Sequence, residues 1–221
     1  MQTLHLTNTQ FHLQSPYVKW CNYICVIIAI FLLVYAPSLT HALLFIILLI
    51  SLVAMVYFLI LKGKVSYTLT PTHFQQHLFK GGWVVKWHNV QHIGICSYDN
   101  QGWHQSLPWI GIKLKDYEPY LDSICPRIAS EILLSQRSLL YLGAKQKGQE
   151  TRFEDMVLDS AIFTASGGKS YQGLLAMLAN RMRYQRQYFD YDIFISVQDL
   201  ERDAESFVGL ARRYLAAAEP E

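Results

Sequence analysis

Two long stretches near the start of the chain contain no charged residue. Residues 20–36 form an uncharged run of 17 residues, and residues 42–61 form a second run of 20. At a rise of about 1.5 Å per residue, helices of these lengths span roughly 26 and 30 Å, which suits a hydrocarbon core of about 30 Å. The second run is apolar on all sides apart from Ser51, whereas a soluble helix would carry a polar stripe. The pattern therefore predicts two transmembrane helices.

The short connection between the two runs predicts a hairpin. Only residues 37–41 separate them, and Pro37 favours a helix stop at that point. A link this short requires an antiparallel pair. Lys19 precedes the first run and Lys62 and Lys64 follow the second, whereas the connection has no Lys or Arg. The positive-inside rule therefore predicts that both termini are cytoplasmic.

An alternative interpretation of the first run is a cleaved secretory signal. Val34-Tyr35-Ala36 has the small-residue pattern that precedes a cleavage site. An uncleaved anchor is favoured because Pro37 would follow the cleavage point and the apolar run is longer than a usual signal core. We therefore expect a multi-pass membrane protein with residues 1–19 as an N-terminal cytoplasmic segment.

The periodicity changes after Lys64. Short runs rich in β-branched and aromatic residues, separated by turn formers, predict an antiparallel meander of about five strands. Lys80-Gly81-Gly82 predicts a tight hairpin turn, because glycine takes positive φ without a Cβ clash. Residues 99–102 predict another turn. The predicted strands are residues 65–69, 74–79, 83–87, 90–97 and 107–114.

The remainder of the chain is predicted to be mainly helical. An amphipathic pattern predicts one helix that runs to about Leu142 and ends at Gly143, followed by a polar linker over residues 144–154. Residues 156–164 fit either a strand or a helix. Further predictions are a helix over 170–188 with Leu174, Leu175, Leu178 and Met182 inward, a strand over 192–197, and a last helix to about 217 with Asp199 as its N-cap.

Composition and charge narrow the class of protein. The 221 residues are 52% hydrophobic, which excludes a disordered chain. A net charge of +2 argues against a dedicated nucleic-acid-binding protein, whose basic excess is large and clustered. Residues 1–98 contain five lysines and no acidic residue, as expected beside a membrane. The lysines predicted to lean on an anionic leaflet are Lys62, Lys64, Lys80 and Lys86.

One loop suggests phosphate binding. Ser166-Gly167-Gly168-Lys169-Ser170 precedes a predicted helix, as a phosphate-binding loop does, but Phe163 stands where a Walker loop has glycine. The competing interpretation is a flexible turn in which Ser170 caps the helix. Backbone amides at that helix start would suit a phosphate or a lipid headgroup, with Lys169 and Ser170 as contacts.

Other residues give weaker signals of a site. Five histidines fall within 32 residues, but on strands a spacing of four separates side chains by about 13 Å, so a zinc site would need cross-strand partners such as His77 with His88. We predict no metal site, no cofactor and no catalytic residue, because no catalytic motif accompanies them. Four cysteines do not form a disulfide framework. Arginines of the 170–188 helix are expected to pair with Asp190 and Asp192 on a solvated face. The five histidines are His73, His77, His88, His92 and His104.

Two resemblances add to these patterns. The segment from Tyr67 to Leu114, which opens YTLTPTHFQQHLFKGGWVVKWHNVQHIGI, is similar to bacterial PH-like domains, in which a two-span hairpin often precedes a small meander closed by a helix. The whole chain, especially YQGLLAMLANRMRYQRQYFDYDIFI followed by FVGLARRYLAAA, resembles a family of gammaproteobacterial membrane proteins classed as a domain of unknown function, DUF2982. Eukaryotic PH domains imply phosphoinositide binding through basic residues of their first hairpin, where this chain offers Lys80 with Lys86 nearby. The family resemblance brings no catalytic residues.

Together these observations predict an α+β protein of the bacterial inner membrane. A transmembrane hairpin (20–36 and 42–61) would precede a PH-like antiparallel meander in a cytoplasmic domain (65–143) and an α/β C-terminal section (150–221). The predicted function is a non-catalytic binding or scaffolding module for a protein partner or the lipid surface, without nucleic acid. The alternative is a phosphate- or nucleotide-binding enzyme that uses Gly167-Gly168-Lys169-Ser170.

Overall fold

A computed structural model describes residues 2–8, 16–35, 38–100 and 103–218. The predicted helix stop at Pro37 and part of the predicted turn at 99–102 lie outside the described residues, as do the side chains of Lys19 and His104. The strands in the described part are β1 (Leu4–Thr7), β2 (Ser66–Leu69), β3 (His73–Leu78), β4 (Gly81–Lys86), β5 (Val90–Asn100), β6 (Trp103–Leu114), β7 (Phe163–Thr164), β8 (Ser170–Tyr171) and β9 (Ile193–Ser196).

The α-helices follow from apolar runs and amphipathic patterns. The first two are uncharged over most of their length, and the others bury one side. In the described residues they are α1 (Pro16–Tyr35), α2 (Leu39–Lys62), α3 (Glu118–Ser123), α4 (Pro126–Ser135), α5 (Arg137–Gln146), α6 (Phe153–Leu158), α7 (Leu174–Phe189) and α8 (Ala204–Ala217).

The strands form antiparallel sheets with the orders β1-β2-β3-β4, β5-β6-β9 and β7-β8. The five predicted strands are confirmed as β2 to β6, but the single meander is wrong. The chain changes sheets after β4, at a 3-10 turn over Trp87–Asn89. Trp87 is fully buried there and its indole N–H donates to the Thr70 carbonyl at 2.7 Å. This anchored tryptophan ends the first sheet.

Alternating residues of the first sheet build an aromatic core. Phe74 stacks on Tyr67 and on Trp87, with ring centroids 5.9 and 5.7 Å apart, and meets Trp83 edge-on at 5.5 Å. From α8, Phe207 adds a further ring 6.0 Å from Tyr67. Strand alternation sends these side chains to one face, and α8 covers that face.

A pair of glycines in the second sheet leaves room for the side chain of Tyr191. Gly94 on β5 lies opposite Gly111 on β6. A Cβ at Gly111 would stand 2.1 Å from the ring of Tyr191, and one at Gly94 would stand 2.3 Å from the Tyr191 hydroxyl. The two glycines therefore let Tyr191 lie flat against the sheet beside β9.

The chain divides into two compact units, and β1 belongs to the larger one. That unit joins β1 to the chain from Val65 onward, and the smaller unit contains α1 and α2. The predicted boundary between residues 65–143 and 150–221 does not separate compact units, because β9 pairs with β6 in one sheet. Residues 1–19 are likewise not one segment, since β1 lies in the larger unit and α1 begins at Pro16.

The smaller unit has strongly apolar helices. Within the described residues, α2 is the one helix long and apolar enough to cross a membrane, with a mean hydropathy of 3.1 and no burial inside the protein over that stretch. The expectation of two such spans is met by α2 alone. The first predicted run, residues 20–36, nevertheless lies largely in a helix, α1, and Cys25 and Ala29 of α1 line an apolar cavity with Val53 and Ala54 of α2.

Several predicted helix boundaries are wrong for reasons that lie in tertiary contacts. The helix predicted to end at Gly143 is two helices, α4 and α5, that meet at buried Gln136. Gly143 lies inside α5, where a Cβ would stand 2.6 Å from the Tyr188 ring. Asp199 does not cap the last helix, because Asp203 does so by accepting the Ser206 N–H at 2.8 Å. The predicted linker over 144–154 contains the start of α6, and Leu174 is exposed.

Candidate functional site

The chain leaves and re-enters the larger unit at one point. The Asn8 N–H donates to the Val65 carbonyl at 3.0 Å, and the Val65 N–H donates to Asn8 Oδ1 at 3.0 Å. Leu6 and Val65 are buried beside this clamp. The Tyr214 hydroxyl of α8 donates to the Gln2 carbonyl at 2.6 Å, so the residues before β1 are tied to α8 as well. The residues that flank segment 9–64 are therefore adjacent in space.

A two-residue turn occupies the same end of the sheet. Ser66 pairs with both Thr7 and His77, and one step further Leu78 pairs with Gly81. The turn between β3 and β4 is therefore Phe79–Lys80. This confirms a hairpin here, but the turn is not the predicted Lys80-Gly81-Gly82, because Gly81 and Gly82 already pair within β4. Gly81 has φ 145°, as the turn requires of glycine. We call Asn8, Val65 and the turn Phe79–Lys80 the insertion edge.

The structure separates the lysines that the sequence grouped together. Lys80 lies in the insertion edge, Lys64 immediately precedes Val65, and Lys62 ends α2. Lys86 pairs with His73 at the other end of β4. Five residue steps of about 3.4 Å place it roughly 17 Å from Gly81, the residue that follows the insertion edge. Lys86 therefore does not share a surface with Lys80.

Lys169 and Ser170 lie in a small hairpin rather than at a helix start. Thr164 pairs with Ser170, and α7 begins only at Leu174 behind Gly173. The Lys169 ammonium contacts both carboxylate oxygens of Asp122 at 2.6 Å. The prediction that Ser170 caps a helix is wrong, and so is the prediction of free helix amides beside it. Instead, Ser170 Oγ lies 3.3 Å from Thr164 Oγ1.

Asp122 is the centre of this loop's contacts. Hydrogen bonds from Lys169 and then Tyr171 hold the pKa of its carboxyl below the usual value. Burial, together with the hydrogen bond to Asp122, raises the pKa of Tyr171. Lys169 also lies 5.5 Å from the Tyr171 ring centroid. The Lys169 ammonium is therefore already paired with the carboxylate of Asp122.

Histidines of the first sheet bond to a threonine rather than to each other. Thr68 Oγ1 lies 3.0 Å from His5 Nδ1 and 3.0 Å from His77 Nε2. His77 pairs with Ser66 and Gly82, so it does not lie opposite His88. In the described part of the chain, no three His, Cys, Asp or Glu side chains are grouped as metal ligands would be.

A buried ion pair joins α7 to the second sheet. Asp192 is fully buried and accepts hydrogen bonds from Arg186, from the Tyr117 hydroxyl at 2.7 Å and from the Leu114 N–H at 2.8 Å. Burial lowers the pKa of Arg186, but the hydrogen bond and attraction of Asp192 outweigh it and raise that pKa overall. The predicted pairing of Asp192 with this helix is confirmed, but its carboxylate is buried rather than on the predicted solvated face. Arg183 of the same helix is 51% exposed and pairs with Asp159. Asp190 instead contacts Lys113.

The model of a family described as a protein of unknown function, DUF2982, matches residues 67–217. The chain belongs to the DUF2982 family. No curated protein and no solved structure matches it. The DUF2982 match begins within β2 and ends in α8, so it leaves out β1 and segment 9–64.

The DUF2982 region holds a buried arginine that the sequence did not single out as structural. Arg181 is 2% exposed, and its guanidinium donates to the carbonyls of Leu133 at 3.5 Å and Val157 at 3.4 Å. These carbonyls lie in the last turns of α4 and α6, where the helix dipole favours a cation. Burial, together with Arg137, lowers the pKa of Arg181 to about 10. The arginine therefore joins three helices of the DUF2982 region.

Two parts of the site were missed by sequence reasoning. The first is β1, in which Leu4 and Leu6 alternate with polar residues as in a strand. This alternation covers only four residues, so it is a weak indication of a strand. Asp122 carried no signal, because it lies 47 positions from Lys169 in the chain.

Proposed function

We propose that this chain is a membrane-anchored, non-catalytic binding module held against the lipid surface at its insertion edge. The observation that carries the proposal is the pairing of β1 with β2, which places the strand before α1 and the strand after α2 side by side. Hydrogen-bonded strands cannot lie on opposite sides of a bilayer. A chain whose α2 crosses the membrane must therefore also cross before residue 38.

Among the described residues between β1 and α2, α1 is the helix available for that second crossing. It has 20 residues, a length of about 30 Å, which matches the hydrocarbon thickness. The predicted hairpin and the shared side of both termini thus gain support from the pairing of strands in the larger unit. With Lys62 and Lys64 after the second helix and no Lys or Arg in the connection, that side is the cytoplasm of a bacterial inner membrane.

We further propose that the PH-like part differs from the predicted residues 65–143. A four-stranded and a three-stranded antiparallel sheet, closed by α8, fit a PH-like meander capped by a helix. This assignment uses β1 to β6, β9 and α8. The membrane hairpin is then an insertion between β1 and β2, and α3 to α7 are an insertion between β6 and β9.

Binding rather than catalysis is favoured by the state of the charged groups. Arg186 is paired with Asp192, and Lys169 with Asp122. The alternative of a nucleotide-binding enzyme required a free lysine before a helix N-terminus, and no described contact favours it. A lipid surface is the favoured ligand because residues 1–98 supply basic side chains and no acidic one. A protein partner is the competing outcome.

Membrane flotation of the full-length protein tests the proposal. We expect the chain to float with vesicles and to resist extraction at alkaline pH, and we expect reporters fused to either end to be active only in the cytoplasm. A chain that stays in the supernatant without detergent contradicts the anchor. Reporters on opposite sides of the membrane contradict the hairpin.

A further inference from the structure

The β3–β4 turn shares its end of the sheet with the two chain connections to segment 9–64. Val65 and Leu78 are each one step beyond the Ser66–His77 pair, and Leu78 pairs with Gly81. The turn Phe79–Lys80 therefore extends beyond Val65 at this end of the sheet. The turn between β2 and β3, which contains Thr72, projects from the opposite end.

The covalent chain limits how far this end of the sheet can lie from the last turn of α2. Three residues separate Lys62, at the end of α2, from Ser66, at the start of β2. A fully extended link of this length spans at most about 14 Å. This limit follows from chain length alone. An α2 that ends at the membrane surface therefore keeps the insertion edge close to that surface.

The turn has the chemistry of an interfacial contact. Phe79 is an exposed aromatic side chain, 49% accessible, and Lys80 beside it is exposed as well. Aromatic rings favour the level of the headgroups, and lysine can extend its ammonium toward anionic phosphates. No acidic residue occurs in residues 65–98, which include the whole of β2, β3 and β4.

We propose that the Phe79–Lys80 turn is a second membrane contact, in which Phe79 enters the headgroup layer and Lys80 binds anionic lipid headgroups. The inference rests on the proposed membrane anchor, and it adds a site and a ligand class to it. The occupant is an anionic lipid leaflet. The turn adds a contact with the bilayer to the two chain connections that join the larger unit to segment 9–64.

Spin-label accessibility in the full-length protein tests the proposal. A nitroxide is attached to Phe79→Cys in a chain whose Cys21, Cys25 and Cys125 are serines. Cys96 stays unlabelled, because it is buried and burial raises the pKa of its thiol to about 12. The protein is reconstituted in vesicles that contain phosphatidylglycerol, and a label at Thr72→Cys is the matched control. We expect a several-fold higher ratio of oxygen to nickel-chelate collisions at position 79 than at position 72.

Charge variants separate the lipid contact from the anchor. Lys80→Glu is expected to lower the collision ratio at position 79, whereas Lys86→Glu, at the other end of β4, leaves it unchanged. Equal ratios at positions 79 and 72 in protein that floats with the vesicles overturn this inference and leave the anchor intact. A label at 79 shielded from both collision partners indicates a protein contact and also overturns it. An equally high ratio in pure phosphatidylcholine removes the anionic requirement, and protein that does not float overturns the anchor itself.

Discussion

Asn8 and Val65 are joined by two hydrogen bonds although they are 57 positions apart in the chain. Each residue supplies its backbone N–H, and the acceptors are the Val65 carbonyl and the Asn8 side-chain oxygen. This clamp makes segment 9–64 an insertion whose two ends are already together. A helical pair inserted in this way imposes little strain on the sheet that carries it.

Replacement of residues 9–64 by Asn-Gly is expected to give a soluble, folded protein. The two-residue sequence favours a type I′ turn, which connects adjacent antiparallel strands such as β1 and β2. Ultracentrifugation without detergent checks solubility, and urea denaturation followed by circular dichroism checks cooperativity. A chain that begins at Val65 is the control. It is expected to lose at least about 2 kcal/mol of unfolding free energy, because Leu6 no longer buries its side chain. Equal stability of the two proteins would contradict a structural role for β1.

Asp192→Asn is expected to lower the free energy of unfolding by about 2 to 3 kcal/mol, because the Arg186 side chain that loses its partner is 32% exposed. The substitution leaves the Arg186 guanidinium without its carboxylate in a site where Asp192 is fully buried. Asp190→Asn is the matched control, because Asp190 is 62% exposed and its pair with Lys113 is worth at most about 1 kcal/mol. Urea denaturation of the soluble, hairpin-replaced protein measures both. Similar losses of unfolding free energy in the two variants would contradict the expectation that the pair of Asp192 stabilises the fold more than the pair of Asp190.

Asp199→Asn is expected to increase stability at neutral pH. Burial raises the pKa of Asp199, so the folded state binds the proton more tightly than the unfolded state. Stability attributable to this group therefore rises as the pH falls through the raised pKa, and the ionised group destabilises the fold above it. The variant should lose this component of the pH dependence of unfolding.

Asp203→Ala provides a control of opposite sign. Hydrogen bonds from Ser206 lower the pKa of Asp203, so its contribution is present at neutral pH and is lost as the pH falls through the lowered value. Thermal denaturation between acidic and neutral pH distinguishes the two variants. A destabilised Asp199→Asn at pH 7 would show that its carboxylate makes a favourable contact that outweighs desolvation.

Lys169→Ala is expected to change the unfolding free energy by no more than about 1 kcal/mol. Its pair with Asp122 is exposed on both sides, at 48% and 44%, and exposed pairs contribute little. We also expect no nucleotide to raise the melting temperature of either the parent or the variant protein. A nucleotide at 100 times its Kd would stabilise the parent by about 2.7 kcal/mol. A shift of that kind, abolished by Lys169→Ala, would restore the enzyme hypothesis.

Local patterns sufficed for much of the fold. The five central strands, a hairpin between β3 and β4, the β9 strand and the apolar character of α2 all follow from signals within a few residues, such as alternation, glycine near a turn and a long uncharged run. The candidate loop at Lys169 was misread, because its chemistry depends on Asp122, which the local sequence does not include. The division of helices α4 and α5 was missed for the same reason, since Gln136 bonds to Phe194 and Gln185.

By itself, the sequence determined that an acid-free, apolar first part precedes a mixed domain of strands and helices, because hydropathy and periodicity are properties of neighbouring residues. Only the tertiary structure decided that β1 and β2 are neighbours, that Lys80 and Lys86 lie at opposite ends of β4, and that Arg181 of α7 and the Asp192 carboxylate that pairs with α7 are buried. Those relationships depend on strand register and on packing between residues far apart in the chain. Contacts between residues far apart in the chain stabilise these arrangements, and a short stretch of sequence does not contain both partners. The Asn8–Val65 pair of the insertion edge is one such contact.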